Sequence, residues 1–185
     1  MRISGGEAKG RTLSFPSRST QRPTTDFLRE ALFNLLELPA SQSFLDLFAG
    51  SGSVGLEALS RKAEKVTFVE KSKALIGVIR ENVSLCGYSE RCFIVHADIR
   101  SALRGFNQKK CKFNVIFADP PYNQGLIGET LKVLKEYPVL QEEDGIIVLQ
   151  HSIREQLTPL TDGWFMADQR KYGDNLLTFI RMGRA

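Results

Sequence analysis

The feature that most constrains this chain is a glycine-rich step from a strand into a helix. The apolar run Phe44–Phe48 leads into Gly50-Ser51-Gly52-Ser53-Val54-Gly55, and residues Val54–Arg61 continue at helix-compatible spacing. Glycines in such a step let the main chain turn tightly and let a ligand come close to it, as in the G-x-G-x-x-G nucleotide sites of open α/β sheets. The motif fixes a strand, loop and helix unit. It leaves the ligand open, because more than one adenosine cofactor can use the same device.

The surrounding pattern extends that unit into a sheet. Apolar runs of strand length at Val66–Val69, Cys92–Val95, Val115–Ala118 and Ile146–Leu149 alternate with helix-compatible stretches at Lys73–Cys86, Ile99–Phe106 and Leu126–Tyr137. This alternation predicts parallel strands with helices packed on both faces. Upstream, Phe27, Leu28, Ala31, Leu32, Leu35 and Leu36 recur at helical spacing behind threonine caps and Asp26, and Pro39 ends that helix. After Leu149 the spacing predicts a short helical piece near Ile153–Leu157. Runs at Trp164–Met166 and Leu176–Ile180 then flank a turn at Arg170–Asp174, which predicts an antiparallel pair. The expected fold class is therefore α/β and Rossmann-like. Its mostly parallel sheet, closed by a C-terminal antiparallel hairpin, is the arrangement of class I S-adenosylmethionine-dependent methyltransferases.

Acids at the ends of successive strands narrow the ligand. Asp46 lies within the strand just before the glycines, where it would repel a pyrophosphate and favour a cationic sulfonium ligand carrying an ammonium group. Glu70 closes Val66–Val69 and could accept both hydroxyl hydrogens of a ribose; the alternative is a polar strand end paired with Lys71 or Lys73. Asp98 follows the third strand and could accept from an adenine amino group or cap the next helix.

The fourth strand ends in Asp119-Pro120-Pro121-Tyr122. Prolines stiffen the turn, and a carboxylate beside a fixed backbone carbonyl offers two acceptors to the two N–H groups of an exocyclic base amine. Such an amine is a weak nucleophile because its lone pair is delocalised into the ring. Holding both hydrogens favours a more pyramidal nitrogen facing a methyl donor. Tyr122 can stack on a base that is unpaired or flipped out. A capped turn with a packed tyrosine is the plainer account of the same residues.

Charge adds a substrate class. Residues 1–23 hold five basic side chains and one acidic, a net charge that equals the formal +4 of all 185 residues. A basic arm at 1–23 ahead of a neutral domain at 24–185 suggests a polyanionic partner, with a merely solvated tail as the alternative. Cys86, Cys92 and Cys111 lack the spacing of a disulfide framework or zinc site, so no metal is expected. No apolar run approaches the roughly 20 residues of a membrane span, which points to a cytoplasmic protein.

With these residues in place, the chain resembles the bacterial 16S rRNA guanine-N2 methyltransferase family, the RsmD type, over nearly its full length. The resemblance rests on D-x-F-A-G-S-G and D-P-P-Y, on the opening Arg2–Arg11, and on Arg22-Pro23-Thr24 leading into Arg29-Glu30-Ala31-Leu32-Phe33-Asn34. It implies an S-adenosylmethionine cofactor at Asp46, Phe48, Gly50, Ser51, Gly52, Glu70, Asp98 and Ile99, and catalysis at Asp119, Pro120 and Tyr122. It further implies RNA contacts at Lys9, Arg11, Arg22, Thr24, Arg170 and Lys171, and a monomer acting on 16S rRNA within a small ribosomal subunit or its assembly intermediate. An adenine-N6 methyltransferase, a nicotinamide-dependent oxidoreductase and a non-catalytic RNA-binding module are the alternatives. The first shares D-P-P-Y, the second is disfavoured by Asp46, and the third would not need Asp119.

Overall fold

A computed structural model describes residues 1–15, 25–36, 42–121, 125–157, 159–160 and 163–183. The chain forms two compact units, Met1–Asp98 and Ile99–Ala185. The domain boundary expected at residue 23 falls outside the described residues.

In the first unit, α1 (Asp26–Leu35) starts at Thr25, whose hydroxyl accepts from the Leu28 amide at 3.2 Å. The strands β1 (Ser43–Asp46), β2 (Lys65–Glu70) and β3 (Cys92–His96) are parallel in the order β3-β2-β1. Helix α2 (Ser53–Ser60) follows the glycine loop. Helix α3 (Lys73–Cys86) is capped by Ser72 and stopped by Gly87 in the left-handed conformation. Between α3 and β3 lies a 3-10 turn at Ser89–Arg91. The core is Phe44, Leu45, Leu56, Leu59, Val66, Phe68, Val69 and Ile79, each essentially inaccessible to solvent. Burial of a side chain of this size stabilises the fold by roughly 1.5–3 kcal/mol.

Residues 1–15 are part of this unit. Arg2 and Thr12 form an antiparallel bridge, the Ile3 amide donates to the Arg11 carbonyl at 3.0 Å, and Ile3, Ala8 and Leu13 are buried. The turn of this hairpin sits on the end of α2, where the Ser60 carbonyl would lie 1.8 Å from any Cβ at Gly6. Only glycine fits there.

In the second unit, α4 (Ile99–Gln108) precedes β4 (Val115–Ala118), and α5 (Leu126–Glu136) precedes β5 (Ile146–Ser152). Strands β4 and β5 are parallel, while β6 (Trp164–Tyr172) and β7 (Asn175–Met182) run antiparallel, in the order β4-β5-β7-β6. The α/β class and the C-terminal hairpin agree with expectation.

Three expectations need correction. Residues 153–157 form no helix: the Ile153 amide pairs instead with the Asp174 carbonyl at 3.0 Å, and a turn follows with the Glu155 amide on the Ser152 carbonyl at 3.0 Å. The hairpin turn is only Gly173-Asp174, since Tyr172 pairs directly with Asn175, and Arg170 and Lys171 lie in β6. Gly173 has a φ of 60°, as the first position of a tight two-residue hairpin turn requires. Finally, β1 ends at Asp46, so Leu47 and Phe48 belong to the loop. Pro39 lies outside the described residues.

Candidate active site

The parallel register sets the acids of the first unit. Asp46 ends β1 opposite Phe68, and Glu70 ends β2 opposite His96. Asp46 is buried, and its Oδ2 accepts from the Gly55 amide at 3.2 Å, satisfying one of the N–H groups that the first turn of α2 leaves without a helical partner. Burial pushes its carboxyl from 3.8 up to about 7; Glu70 adds to the rise, and the Gly55 and Phe48 amides oppose it. A nearby cation would restore the ionised form.

Glu70 is also buried. Its Oε2 accepts from the Gly50 amide at 2.9 Å and its Oε1 from the Ser72 amide at 2.8 Å, so one carboxylate ties the glycine loop to the start of α3. A surface ion pair with a lysine is therefore not its arrangement. Gly52, with a φ of 80°, is the residue from which α2 starts and brings no side chain of its own to cap it; the Asp46 carboxylate takes one first-turn amide, that of Gly55.

Ser51 is buried, and its carbonyl accepts from the Asn82 amide group at 2.9 Å. Asn82 also binds both main-chain groups of Ser14, accepting from the amide at 2.7 Å and donating to the carbonyl at 3.0 Å. The N-terminal hairpin and the glycine loop thus share one side chain. Around the glycine loop, Asp46 is thus bonded to Gly55, Glu70 to Gly50 and Ser72, and Ser51 to Asn82. Phe48 lies half-buried in the loop, Asp98 is exposed after β3, and Ile99 opens α4.

In the second unit, Asp119 follows β4 directly. Its Oδ2 accepts from Gln150 Nε2 at 2.9 Å. Pro120 is buried and has no N–H to donate. Arg170 and Lys171 are exposed on β6, with Arg170 Nε on Asp168 Oδ2 at 2.9 Å. In the first unit, Lys9 and Arg11 are exposed, and the Arg11 guanidinium donates to the Leu85 carbonyl. Tyr122, Arg22 and Thr24 lie outside the described residues.

Gln150 and Asn82 were not among the sequence candidates, although each left a signal. Gln150 stands one residue past the apolar run Ile146–Leu149, the same offset at which Asp119 follows Val115–Ala118. Asn82 interrupts the buried stripe Leu75, Ile76, Ile79, Val83 and Cys86 of α3 with a wholly buried amide.

The segment beginning at Arg29 has a structural explanation. Arg29 is fully buried, donates from Nε to Glu57 Oε2 at 3.1 Å, and reaches the Arg2 carbonyl and, at 2.9 Å, Asp26. Glu57, also fully buried, accepts from the Ser4 amide and hydroxyl and the Gly5 amide, each at 2.8 Å, and from Arg61 at 2.9 Å. Burial would raise the Glu57 carboxyl, but these donors outweigh it and hold the group below its usual value. The cluster locks α1, α2 and the hairpin together.

The sequence matches the family described as Conserved hypothetical protein 95 across residues 1–181. The chain belongs to this family. It is 34% identical over 174 residues to YlbH of Bacillus subtilis, named as an rRNA methyltransferase, covering 94% of each chain. It is equally 34% identical to ribosomal RNA small subunit methyltransferase D of Escherichia coli K12, covering 94% of this chain and 85% of that protein. Among solved structures, the Escherichia coli protein yhhF, designated a methyltransferase, superposes with a TM-score of 0.87 at 30% identity, covering 100% and 99% of the two chains. This family member is a methyltransferase enzyme of the α/β class. No described helix is long and apolar enough to cross a membrane.

Proposed function

We propose that this protein transfers a methyl group from S-adenosylmethionine to the exocyclic N2 of a guanine in 16S rRNA, acting as a cytoplasmic monomer on the small ribosomal subunit or its assembly intermediate. The observation that carries the reading is the Asp119-Pro120-Pro121 turn, with its carboxylate held at the end of β4, in a chain so similar to a ribosomal RNA small subunit methyltransferase.

The first unit fits the cofactor. Its buried acid at Asp46 titrates near 7 and gains from a cation, and positive-φ glycines at 50 and 52 suit close approach of a nucleoside. Glu70 is held by two amides in a fixed orientation and retains lone pairs for ribose hydroxyls. Phe48, Ser51, Asp98 and Ile99 complete the proposed contact set. S-adenosylmethionine supplies an electrophilic methyl group on a sulfonium.

In the second unit, the Asp119 carboxylate and the Pro120 carbonyl accept the two N–H groups of the guanine amine, and Tyr122 stacks on the ring. As the nitrogen–carbon bond forms, the methyl–sulfur bond breaks and the sulfonium leaves as the neutral thioether S-adenosylhomocysteine, while the Asp119 carboxylate takes the proton that the nitrogen sheds. Lys9, Arg11, Arg22, Thr24, Arg170 and Lys171 contact the RNA, chiefly its phosphates.

The test is Asp119→Ala with labelled methyl donor and small subunits that lack their methylations. Methyl transfer is lost while filter binding of the RNA is retained. Unchanged methyl transfer by Asp119→Ala overturns the reading.

A further inference from the structure

Asp119 and Gln150 are placed side by side by the sheet itself. Strands β4 and β5 run parallel with Ala118 opposite Leu149, so the next residue on each strand falls at the same level. Partner residues in a parallel pair project to the same face. The two side chains meet at 2.9 Å, Gln150 Nε2 to Asp119 Oδ2. Gln150 is 3% exposed, and β7 pairs along its other edge, with Leu177 opposite Gln150. Its amide therefore has a fixed backbone on one side and a fixed acceptor on the other. The neighbouring His151 is engaged elsewhere, with Nε2 at 2.9 Å from the Thr178 hydroxyl.

We infer that Gln150 is a positioning residue for the methyl-transfer reaction, orienting the Asp119 carboxylate toward the target amine through its Oδ2. The inference rests on the reading of Asp119 given above. The chemistry favours an amide at this place. A carboxylate cannot donate, so the contact is made by the Gln150 N–H, and a hydrogen bond to the ionised form favours that form. A lysine or arginine would also hold the carboxylate, but its full charge would weaken Asp119 as an acceptor for the amine. A glutamate would place two carboxyls within hydrogen-bond distance, and one of them would then keep a proton well above its usual range. The neutral donor holds the acid ionised and still basic.

The experiment compares Gln150→Ala, Gln150→Glu and Asp119→Asn in the full chain, on small subunits with labelled methyl donor. Calorimetry of S-adenosylmethionine binding and thermal unfolding report on folding. Gln150→Ala lowers kcat about 10- to 100-fold, the range carried by one hydrogen bond to a charged group, and leaves cofactor affinity within about twofold.

Gln150→Glu gives the sharper signature. Singly protonated, the introduced carboxyl and Asp119 together reproduce the donor and the acceptor; doubly ionised, the pair loses the donor. The variant therefore gains an alkaline limb in its pH–rate profile that the wild type lacks at that pH. A purely structural role would not produce this limb. Wild-type kcat in Gln150→Ala together with a Gln150→Glu profile parallel to wild type, while Asp119→Asn is inactive, overturns the role of Gln150 and leaves that of Asp119 standing. Full activity of Asp119→Asn overturns both.

Discussion

Replacing Arg29 with methionine tests whether this residue serves the fold or the RNA. The substitution keeps an unbranched apolar stem but removes the guanidinium from a site with no solvent access. Breaking a buried ion pair by deleting one partner costs about 3–5 kcal/mol, because the other charge is left buried. Glu57 keeps the Ser4 amide and hydroxyl, the Gly5 amide and Arg61, so the lower end, about 3 kcal/mol, applies. At about 2–4 °C per kcal/mol for a chain of this size, Tm falls by about 6–12 °C. The pH dependence has a definite sign. A carboxylate whose folded pKa is depressed contributes stability above its unfolded pKa and loses it as pH falls through the folded one. The gap between wild type and Arg29→Met therefore narrows as the pH is lowered below about 4. Circular dichroism melts from about pH 3 to about pH 8, spanning both carboxylate states, provide the measurement, with RNA affinity recorded in parallel. An unchanged Tm accompanied by weaker RNA binding would refute the structural assignment.

Other perturbations follow from single contacts. Folded Asp46 retains its proton up to about 7, while the unfolded acid releases it near 3.8, so the native state binds more protons in that window and stability falls as pH rises through it. Asp46→Asn removes this slope in urea titrations, and it also removes the gain in S-adenosylmethionine affinity expected as pH rises through about 7; a slope equal to wild type contradicts the assignment. Gly55→Ala puts a Cβ 2.3 Å from the Phe68 ring and 2.7 Å from Val66, an overpacking that costs about 1–3 kcal/mol and is read as a lowered Tm. Asn82→Ala deprives Ser14 and Ser51 of their partners, which costs about 1–3 kcal/mol and weakens cofactor binding in calorimetry; wild-type affinity would show that the glycine loop holds its shape without Asn82.

Much of this architecture was legible in the sequence because strands β1, β2, β4 and β5 are buried on both faces. Val115–Ala118 is an unbroken apolar run with turn residues after it, and the strand has those very bounds. Helix α3 likewise runs from Lys73 to Cys86 as its apolar spacing predicts, between Ser72 and Gly87. The C-terminal hairpin was harder. Strand β6 is mostly exposed, so Arg170 and Lys171 read as part of a turn, while the ladder from Asp168, Gln169, Arg170 and Lys171 to Phe179, Thr178, Leu177 and Leu176 depends on pairing that composition does not encode. The acids at 46, 70 and 119 were found because a carboxylate at a strand end stands out. What each carboxylate touches depends on register and loop geometry: Asp46 on the Gly55 amide, Glu70 on two amides, Asp119 on Gln150. Arg29 is the reverse case, a conspicuous cation near a basic N-terminal arm that the fold consumes in its own core.

The central claim concerns the atom that receives the methyl group. Small subunits lacking their methylations are incubated with the wild-type protein and labelled S-adenosylmethionine, and the RNA is digested to nucleosides and resolved by mass spectrometry. Label in N2-methylguanosine, at one position of 16S rRNA and absent with Asp119→Ala, is the predicted result. Label in N6-methyladenosine, or no label in any nucleoside, would contradict it.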